Sequence, residues 1–412
     1  MKICMLVRNN FTHDTRVIKE ARSLIAAGHD VEVIASADGG LPDYEVREDK
    51  IVVRRVGEMA GPSGSHGWAL LRSRSPKLDN LASIFLRVGN WVPPGIGIFL
   101  YQTKFLRWLV SIVTLPFALL PVLLNAGFKV VRSFARKMVA WTNKGLLFSH
   151  NDDEFVKVGI LSGADVFHAH DLNTLFPAAV LAKKTGASLV YDSHELYVHR
   201  NSNENQWRRL RWLLIEAQMI RQVDEVITVS ESIAEVLVER YKIEKPTLVR
   251  NVQEYSQTWR KGALRELPEL QHVSPQDRIA IYAGRITAGR GLGIMVEASQ
   301  YLKGVTIVLL GRENVAYSRK LKAMIRARGV GHKVILVPPV EPDEVCEYIS
   351  SADVGLMLTE NECLSYYYGA GNKLFHYLMA GVPVIVSDQP EKRKIVERYE
   401  VGRFCKIDDP RE

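Results

Sequence analysis

Cysteine is scarce in this chain of 412 residues. The four cysteines are scattered and form no Cys-x-x-Cys pair, which disfavours a zinc site or a disulfide framework and favours a reducing compartment. The Gly-x-Gly-x-x-Gly fingerprint is missing after the first apolar run, so we expect no dinucleotide cofactor there. No recognised nucleic-acid-binding motif occurs. Met1 and Lys2 lead straight into a core-type strand, so we expect no signal peptide.

The composition is that of a globular protein with a sizeable core, since 47% of the residues are hydrophobic and 24% are charged. A chain of this length predicts two domains. The formal net charge of +8 indicates anionic partners, either nucleotide phosphates or an anionic membrane face. Nucleic acid would suit the same charge, but without a motif we expect no nucleic-acid partner.

The chain opens in the strand–loop–helix–strand order of a Rossmann-type unit. Residues 3–7 form a continuous apolar run, as expected for a central parallel strand, and residues 31–35 form the next one. Between them, apolar side chains at helical spacing follow Asp14, a residue type that caps helix N-termini. The first domain should therefore contain a parallel sheet covered by helices.

An apolar and aromatic stretch at 84–128 breaks this alternation. Residues 108–128 carry no charge and are long enough to cross a bilayer, but Pro116 and Pro121 interrupt them and basic residues flank them. Three interpretations stay open: insertion into a membrane surface, helices packed on the first domain, or a true span. We favour surface insertion, because a span would place the two halves of one cleft on opposite sides of the membrane.

Polar residues cluster where two further predicted strands end. Residues 165–171 read D-V-F-H-A-H-D, and residues 191–196 read Y-D-S-H-E-L. Open α/β sheets bind ligands at the carboxyl ends of their strands. The candidate ligand contacts here are His170, Asp171, His194 and Glu195. The His-x-His-Asp order also resembles a metal site, but no complete ligand set accompanies it, and we expect no metal.

The second domain begins after a polar, irregular segment at 253–277. Residues 278–283 predict a strand, and the glycine-rich loop G-R-I-T-A-G-R-G-L follows at 284–292. Arg285 and Arg290 place two cations on this loop. Two such cations on a strand-to-helix loop can neutralise a diphosphate.

A second candidate anion site lies at 369–388, which reads as a loop, a helix at 372–380 and a short buried strand. A helix N-terminus favours anions because its N–H groups are unpaired and its dipole is positive. Asn372 can cap this helix, and Lys373 adds a full charge. The alternative is an ordinary loop–helix–strand connector.

These stretches, together with H-D-T-R-V-I-K-E-A-R at 13–22 and A-A-G-H-D-V at 26–31, resemble the family 4 glycosyltransferases. The resemblance covers nearly the whole chain. It implies the α/β GT-B architecture, in which two Rossmann-like domains face a central cleft. It also implies a retaining transferase that takes a nucleotide-diphosphate sugar as its donor substrate and needs neither a cofactor nor a bound metal.

The same resemblance implies the domain limits. Residues 1–252 would bind the acceptor and carry the apolar, basic insert at about 80–145. Residues 253–277 would link this domain to a donor-binding domain at 278–412. Family members normally continue for several more helices, so we expect the chain to be truncated at its C-terminus.

The resemblance further assigns roles to single residues. It places His194 beside the reacting sugar, and Arg285 and Arg290 on the diphosphate, and these three are the predicted catalytic residues. The predicted donor-binding residues are Gly284, Gly311, Val340, Glu362, Gly371, Asn372, Lys373 and His376. The predicted acceptor and cleft residues are His13, Asp14, Arg16, His170, Asp171 and Glu195.

The helix at 372–380 departs from the family pattern, which carries two glutamates separated by seven residues. Tyr368 and His376 stand at those positions here. Because the helix dipole disfavours an imidazolium, we expect a neutral His376 that accepts one hydrogen bond from the donor's ribose and binds it more weakly than a carboxylate. Glu360 or Glu362 is the alternative source of a carboxylate.

The sequence thus predicts a retaining glycosyltransferase that moves a sugar from a nucleotide-diphosphate sugar to a lipid-linked or polysaccharide acceptor, in cell-surface glycan biosynthesis. We expect a cytoplasmic protein held peripherally on the inner face of the plasma membrane, whose anionic surface is a partner. A nucleotide-sugar epimerase of the same fold and a catalytically degenerate binding protein are the alternatives.

Overall fold

The computed structural model describes residues 1–38, 40–58, 150–201, 206–253, 255 and 259–411. The predicted insert at about 80–145 lies outside these residues. Within the described ranges, no helix has both the length and the apolar character needed to cross a membrane.

An eight-stranded sheet forms the centre of the first domain. Its strands are β1 (Lys2–Leu6), β2 (Asp30–Ala37), β3 (Tyr44–Val46), β4 (Val52–Glu58), β5 (Val166–His170), β6 (Ser188–Ser193), β7 (Glu225–Thr228) and β8 (Thr247–Leu248). They lie in the order β3-β4-β2-β1-β5-β6-β7-β8, and only the β3–β4 pair is antiparallel. The central strands are runs of buried apolar residues, as expected for a parallel sheet that is covered on both faces.

Helices connect these parallel strands. Those described are α1 (Thr15–Ala26), α2 (His150–Ser162), α3 (Leu172–Thr185), α4 (Gln206–Met219) and α5 (Glu231–Tyr241). The predicted cap of α1 is confirmed, since the Asp14 carboxylate accepts a hydrogen bond from the Val17 amide at 3.3 Å. This cap fixes where α1 begins, directly after the loop that follows β1.

The second domain contains a six-stranded parallel sheet. Its strands are β9 (Arg278–Ala283), β10 (Val305–Leu310), β11 (Val334–Val337), β12 (Val354–Met357), β13 (Val384–Ser387) and β14 (Gly402–Cys405), in the order β11-β10-β9-β12-β13-β14. Its helices are α6 (Leu292–Ala298), α7 (Val315–Ala327), α8 (Val345–Ser350), α9 (Leu364–Tyr368), α10 (Asn372–Met379) and α11 (Pro390–Tyr399). The predicted pair of parallel α/β domains is confirmed.

The segment predicted as a linker is not free of the second domain. Two short 3-10 helices, Ala263–Glu266 and Pro268–Leu270, bury Leu264 and Leu270 in the second core. The Trp259 indole N–H also donates to the Met379 carbonyl at 3.1 Å. Residues 259–270 therefore pack as part of the second domain.

Direct contacts join the two domains. The buried carboxylate of Glu391, on α11, accepts hydrogen bonds from the Ser232 amide at 2.9 Å and from Arg250 at 3.3 Å. The Ser230 hydroxyl donates to the Tyr368 carbonyl at 2.9 Å. These contacts tie α11 and the end of α9 to the N-terminal end of α5.

Candidate active site

A cleft of about 780 Å³ lies between the two domains. Its walls come mainly from the loop after β1, the loop after β6, the start of α5, and the chain from the end of β12 to α10. Most of these segments follow the carboxyl ends of strands, where parallel sheets place their ligands. Of the residues predicted from sequence, the cleft is lined by His13, Asp14, Arg16, His194, Glu195, Arg290, Gly371, Asn372 and Lys373.

Three cations from the second domain line this cleft: Arg290, Lys373 and Lys392. Burial and then the charge of Arg290 lower the pKa of Lys373 to about 7. Burial, followed by the charges of Lys373 and Arg290, lowers the pKa of Lys392 to about 7. Within the described ranges, no carboxylate oxygen lies within 4.0 Å of any of the three. Arg290 is thus charged without a carboxylate partner among the described residues, and each lysine is only about half protonated at pH 7 in the ligand-free protein.

Glycine at position 284 lets Lys373 cross the end of β9. A Cβ atom on Gly284 would lie 2.0 Å from the Lys373 Cε, so any other residue here would force the lysine side chain to move. The Lys373 ammonium lies 5.2 Å from the centre of the Tyr282 ring, within cation–π range. Gly311 packs against the Gly284 carbonyl, because a Cβ atom on Gly311 would lie 2.1 Å from that oxygen. Both glycines thus act by allowing a close approach and do not line the cleft.

Arg290 is held by an aromatic neighbour. One terminal nitrogen of its guanidinium donates to the Tyr366 hydroxyl at 3.1 Å, and its carbon lies 4.6 Å from the Tyr366 ring centre. The Nε atom is buried and makes no hydrogen bond. Arg285, in contrast, is exposed and does not line the cleft. The structure thus places only one of the two predicted loop cations at the site.

Glu360 and Glu362, the candidate replacement carboxylates, contact the glycine-rich loop at 284–292 and do not line the cleft. Glu360 accepts a hydrogen bond from the Gly291 amide at 3.1 Å. Glu362 is exposed, bonds the Asn201 amide and packs against Gly289. Neither lines the cleft, so neither takes the place of the absent family glutamates in this structure.

The helix predicted at 372–380 is present as α10, but its cap differs from the prediction. Gly371 occupies the N-cap position with φ 72°, and Asn372 is the first helical residue. A left-handed φ of this kind is open to glycine and costly for most other residues. The side chain of Asn372 therefore does not cap the helix. Asn372 instead forms part of the cleft wall.

His376 contacts the chain between the domains and does not line the cleft. The Gln253 side-chain amide donates to its Nε2 atom, with the two nitrogens 2.5 Å apart. Burial, followed by the charges of Lys19 and Lys373, lowers the pKa of His376 to about 4, so the imidazole is neutral near pH 7. Its accepting nitrogen is already occupied, which disagrees with the predicted contact to a ribose.

Val340 was also predicted to bind the donor. It packs on the second core, outside the cleft lining.

His194 is the central polar residue of the opposite wall. Its Nε2 atom lies 3.1 Å from an Asp192 oxygen and 3.2 Å from the His170 Nδ1 atom, and its Nδ1 atom lies 3.4 Å from an Asp171 oxygen. Burial alone would lower the pKa of His194, but the carboxylates of Asp171 and Asp192 raise it to about 9. His194 is therefore a cation near pH 7. Its Nδ1–H makes the longer of the two contacts with carboxylates, and is therefore the ring N–H more readily donated to a ligand.

Asp171 reaches His194 because its backbone is unusual. It combines φ 64° with ψ 163°, a backbone region essentially confined to glycine. Its amide donates to the Asp192 carbonyl at 2.9 Å, while its carboxylate accepts from the His194 amide at 3.3 Å. Asp171 and the buried His170 thus position His194 and do not themselves line the cleft.

Arg16 lines the cleft, but its charge is already paired within the first domain. Its guanidinium makes a bidentate pair with the buried Asp192 at 2.8–3.2 Å and donates to the Val249 carbonyl at 2.8 Å. Glu20 lies 3.0 Å from the same guanidinium. Burial, followed by the charge of Asp192, raises the pKa of Glu20 to about 8, so it is largely protonated at pH 7.

This cluster also holds the groups that could bind a metal ion: Glu20, His168, His170 and Asp192. The Nε2 atoms of both histidines are buried without a hydrogen-bond partner. The Arg16 guanidinium, however, already contacts both carboxylates of the set. A divalent ion would have to share that space with a fixed positive charge, so Arg16 is the cation that fits this cluster.

The remaining predicted residues frame the cleft. Asp14 is held by its role as a cap and by a 2.7 Å hydrogen bond from Asn9. Glu195 accepts a hydrogen bond from the Ser365 hydroxyl across the domain interface at 3.1 Å. Burial, followed by the charge of Asp171, raises the pKa of Glu195. His13 lines the cleft beside Asp14.

Sequence reasoning missed several lining residues, of which Lys392 is the most consequential. Asn9, Asn10 and Thr12 also line the cleft, in the loop after β1. Lys392 stands in the run E-K-R-K, where no apolar periodicity separates it from its half-buried neighbours Arg393 and Lys394. Its position after β13, at the carboxyl edge of a parallel sheet, was the one available sign.

The fold and the cleft define a two-domain GT-B protein. Residues 14–251 match the family described as Glycosyl transferase 4-like domain, and residues 277–412 match Glycosyl transferases group 1. The first match alone covers more than half of the chain, which therefore belongs to the glycosyltransferases. No curated protein matches the chain significantly in sequence.

Several solved structures share this two-domain fold. Sucrose-phosphate synthase from Thermosynechococcus elongatus has a TM-score of 0.62 at 16% identity, covering 100% of this chain and 87% of that one. HepE from Anabaena, in complex with UDP, has a TM-score of 0.59 at 13% identity, with 100% and 87% coverage. A glycosyltransferase from Rickettsia africae has a TM-score of 0.58 at 12% identity, with 100% and 85% coverage. These likenesses confirm the predicted architecture.

Proposed function

We propose that this glycosyltransferase transfers a hexosyl or related group from a nucleotide-diphosphate sugar to an acceptor bound in the same cleft, with retention of configuration. The observation that carries the proposal is the cleft wall formed by Arg290, Lys373 and Lys392, three basic side chains that have no carboxylate partner among the described residues. A diphosphate is the common biological anion whose charge matches such a cluster. The structures of HepE with UDP and with UDP-glucose support a nucleotide-sugar donor.

Catalysis would be mainly electrostatic. When the bond between sugar and diphosphate breaks, negative charge grows on the leaving phosphate, and fixed cations stabilise this charge more than they stabilise the ground state. Arg290 and Lys373 supply that charge together with the N-terminal amides of α10. Because these side chains already provide the positive charge that a metal would bring, we propose a metal-independent transfer without a further cofactor.

His194 is proposed to orient the sugar. Its Nε2–H is held by Asp192 and His170, whereas the 3.4 Å contact of Nδ1 with Asp171 is too long for a strong hydrogen bond. A sugar hydroxyl that accepts the Nδ1–H would replace a weak contact with a better one. The same imidazolium adds positive charge on the side of the cleft opposite Arg290 and Lys373.

A lipid-linked acceptor at a membrane surface, or a growing polysaccharide, is the proposed co-substrate. The support is the charge-free run at 108–128 with its basic flanks, which suits burial in an anionic interface. Replacing Phe117 and Leu120 with Glu should release the protein from anionic vesicles at low salt. If the intact protein shows no affinity for such vesicles, this part of the proposal, with a peripheral location on the inner membrane face, fails.

The donor is tested by a thermal-shift panel of nucleoside diphosphates and sugar nucleotides. A ligand at one hundred times its dissociation constant stabilises the protein by about 2.7 kcal/mol, which is readily measured. Any donor found is then incubated with and without acceptors, and the anomeric configuration of the product is determined by NMR. An epimerised donor without acceptor would indicate an epimerase, and binding without any turnover would indicate a degenerate binding protein.

A further inference from the structure

Lys392 is a buried lysine whose surroundings do not balance its charge. It lies near the start of α11, has a relative exposure of 0% and forms part of the cleft wall. Its ammonium donates to the Ser387 hydroxyl at 3.1 Å and to the Gln389 side-chain carbonyl. Both partners are neutral, so these bonds satisfy two of its protons and hold it in place without cancelling its charge.

The adjacent carboxylate is not available to Lys392. Glu391 is fully buried, but its oxygens accept from the Ser232 amide and from Arg250 across the domain interface. The charged groups that act on Lys392 are instead Lys373 on α10 and Arg290 in the glycine-rich loop, both of the same sign.

An uncompensated ammonium in a protein interior is costly, and an apolar side chain of similar size would normally be more stable there. The residue is therefore better explained by a ligand than by the fold alone. A buried, unpartnered guanidinium nitrogen on Arg290, in the same wall, is an independent indication that a hydrogen-bond acceptor belongs in this cleft.

We propose that Lys392 is a third cation of the donor diphosphate site, acting with Arg290 and Lys373, and that it favours diphosphates over monophosphates. The inference rests on the proposed function for the identity of the ligand. Gln389 and Ser387 act as positioning residues, because they hold the ammonium at the edge where β13 ends. Three cations match the free nucleoside diphosphate that leaves on sugar transfer, which carries more negative charge than a nucleoside monophosphate, so the third cation adds most to diphosphate binding.

The test compares the wild-type full chain with Lys392→Met, which keeps the length of the side chain and removes the charge. Lys392→Gln serves as a second variant should the first fail to fold. Arg393→Met is the matched control, since it removes one cation from the same helix where Arg393 pairs with Asp388 and Glu397 at the surface. The probes in calorimetry are inorganic pyrophosphate, a nucleoside diphosphate, its monophosphate and its nucleoside.

Lys392→Met should weaken nucleoside diphosphate and pyrophosphate binding roughly ten- to hundredfold, as expected for a lost charge-assisted contact. The monophosphate should lose less, the nucleoside should be unchanged, and Arg393→Met should match the wild type. Wild type should also take up protons on binding near pH 8, because the ligand raises the pKa values of Lys373 and Lys392 from about 7, and Lys392→Met should take up fewer.

Unchanged diphosphate affinity in both Lys392 variants would overturn the inference and leave the proposed function standing. Equal losses for nucleoside and diphosphate would also overturn it, since they indicate structural damage. If wild type binds pyrophosphate in a Lys392-dependent manner but no nucleotide, the anion site stands and the proposed function falls. A wild type that binds neither overturns both.

Discussion

The two walls of the cleft differ in how their charged side chains are paired. In the first domain, the cations Arg16 and His194 face Asp192 and Asp171 at hydrogen-bond or near hydrogen-bond distances, so the wall is balanced without a ligand. In the second domain, Arg290, Lys373 and Lys392 repel one another and, within the described ranges, have no carboxylate nearby. The first wall is therefore a stable frame, whereas the second has the charge that the proposed function assigns to binding an anion.

The largest expected effect comes from breaking the balanced wall. Asp192→Asn would leave Arg16 and His194 with a neutral partner inside the protein, which should cost about 3–5 kcal/mol of unfolding free energy. Denaturant unfolding measures this loss. The control is Asp388→Asn at a surface pair with Arg393, which should cost at most about 1 kcal/mol. Equal losses in the two variants would show that the Asp192 network is not the source of stability we describe.

The next effect concerns binding by the unbalanced wall. Arg290→Ala should weaken nucleoside diphosphate binding by about 1.5–3 kcal/mol, the worth of a charge-assisted hydrogen bond. Arg285→Ala, at an exposed position outside the cleft lining, should lose clearly less. Calorimetry with the diphosphate and the nucleoside checks both variants. A larger loss for Arg285→Ala would mean that the donor-bound cleft differs from the one described.

The pH dependence of stability should have a different sign for the two walls. The pKa of His194 is raised from 6.5 to about 9, so its stabilisation is complete below pH 6.5 and disappears as the pH rises through about 9. The pKa of Lys373 is lowered from 10.5 to about 7, so its destabilisation is complete below about pH 7 and fades by pH 10.5.

Substitution separates these two contributions. His194→Gln should lower the unfolding midpoint at pH 6 and have little effect at pH 10. Lys373→Met should raise the midpoint of the ligand-free protein at pH 6, with a gain that shrinks toward pH 10. Each unit of pKa shift corresponds to at most about 1.4 kcal/mol. If both variants moved the unfolding midpoint at pH 6 in the same direction, the contrast between the two walls would be contradicted.

The smallest expected effect is that of His376→Glu. The sequence alone predicted tighter donor binding from a restored carboxylate, but His376 contacts Gln253 and does not line the cleft. A glutamate would accept the same Gln253 hydrogen bond from outside the cleft, so nucleotide affinity should change less than in the variants above. A marked gain in donor affinity or turnover would restore the assignment of His376 to donor binding. Loss of transfer in Glu360→Gln or Glu362→Gln would instead indicate that one of these glutamates supplies the carboxylate.

Local patterns predicted much of this molecule. The apolar runs became central parallel strands, Asp14 caps α1, and the helix predicted at 372–380 is Asn372–Met379. The polar residues that follow β6 line the cleft, and those at the end of β5 contact them, while their role in ligand binding stays a prediction. The polar segment at 253–277 was misjudged, because Leu264 and Leu270 find their burial against a core that lies elsewhere in the sequence.

The sequence by itself determined the two parallel sheets and the sheet edges that border the cleft, because burial periodicity, caps and strand ends are properties of neighbouring residues. Only the tertiary structure decided which charges are paired. Arg16 and Asp192 are 176 residues apart, yet they neutralise each other, whereas Lys392 lies beside Glu391 and gains nothing from it. Electrostatic energy depends on distance and burial in space, and the order of residues along the chain does not contain either quantity.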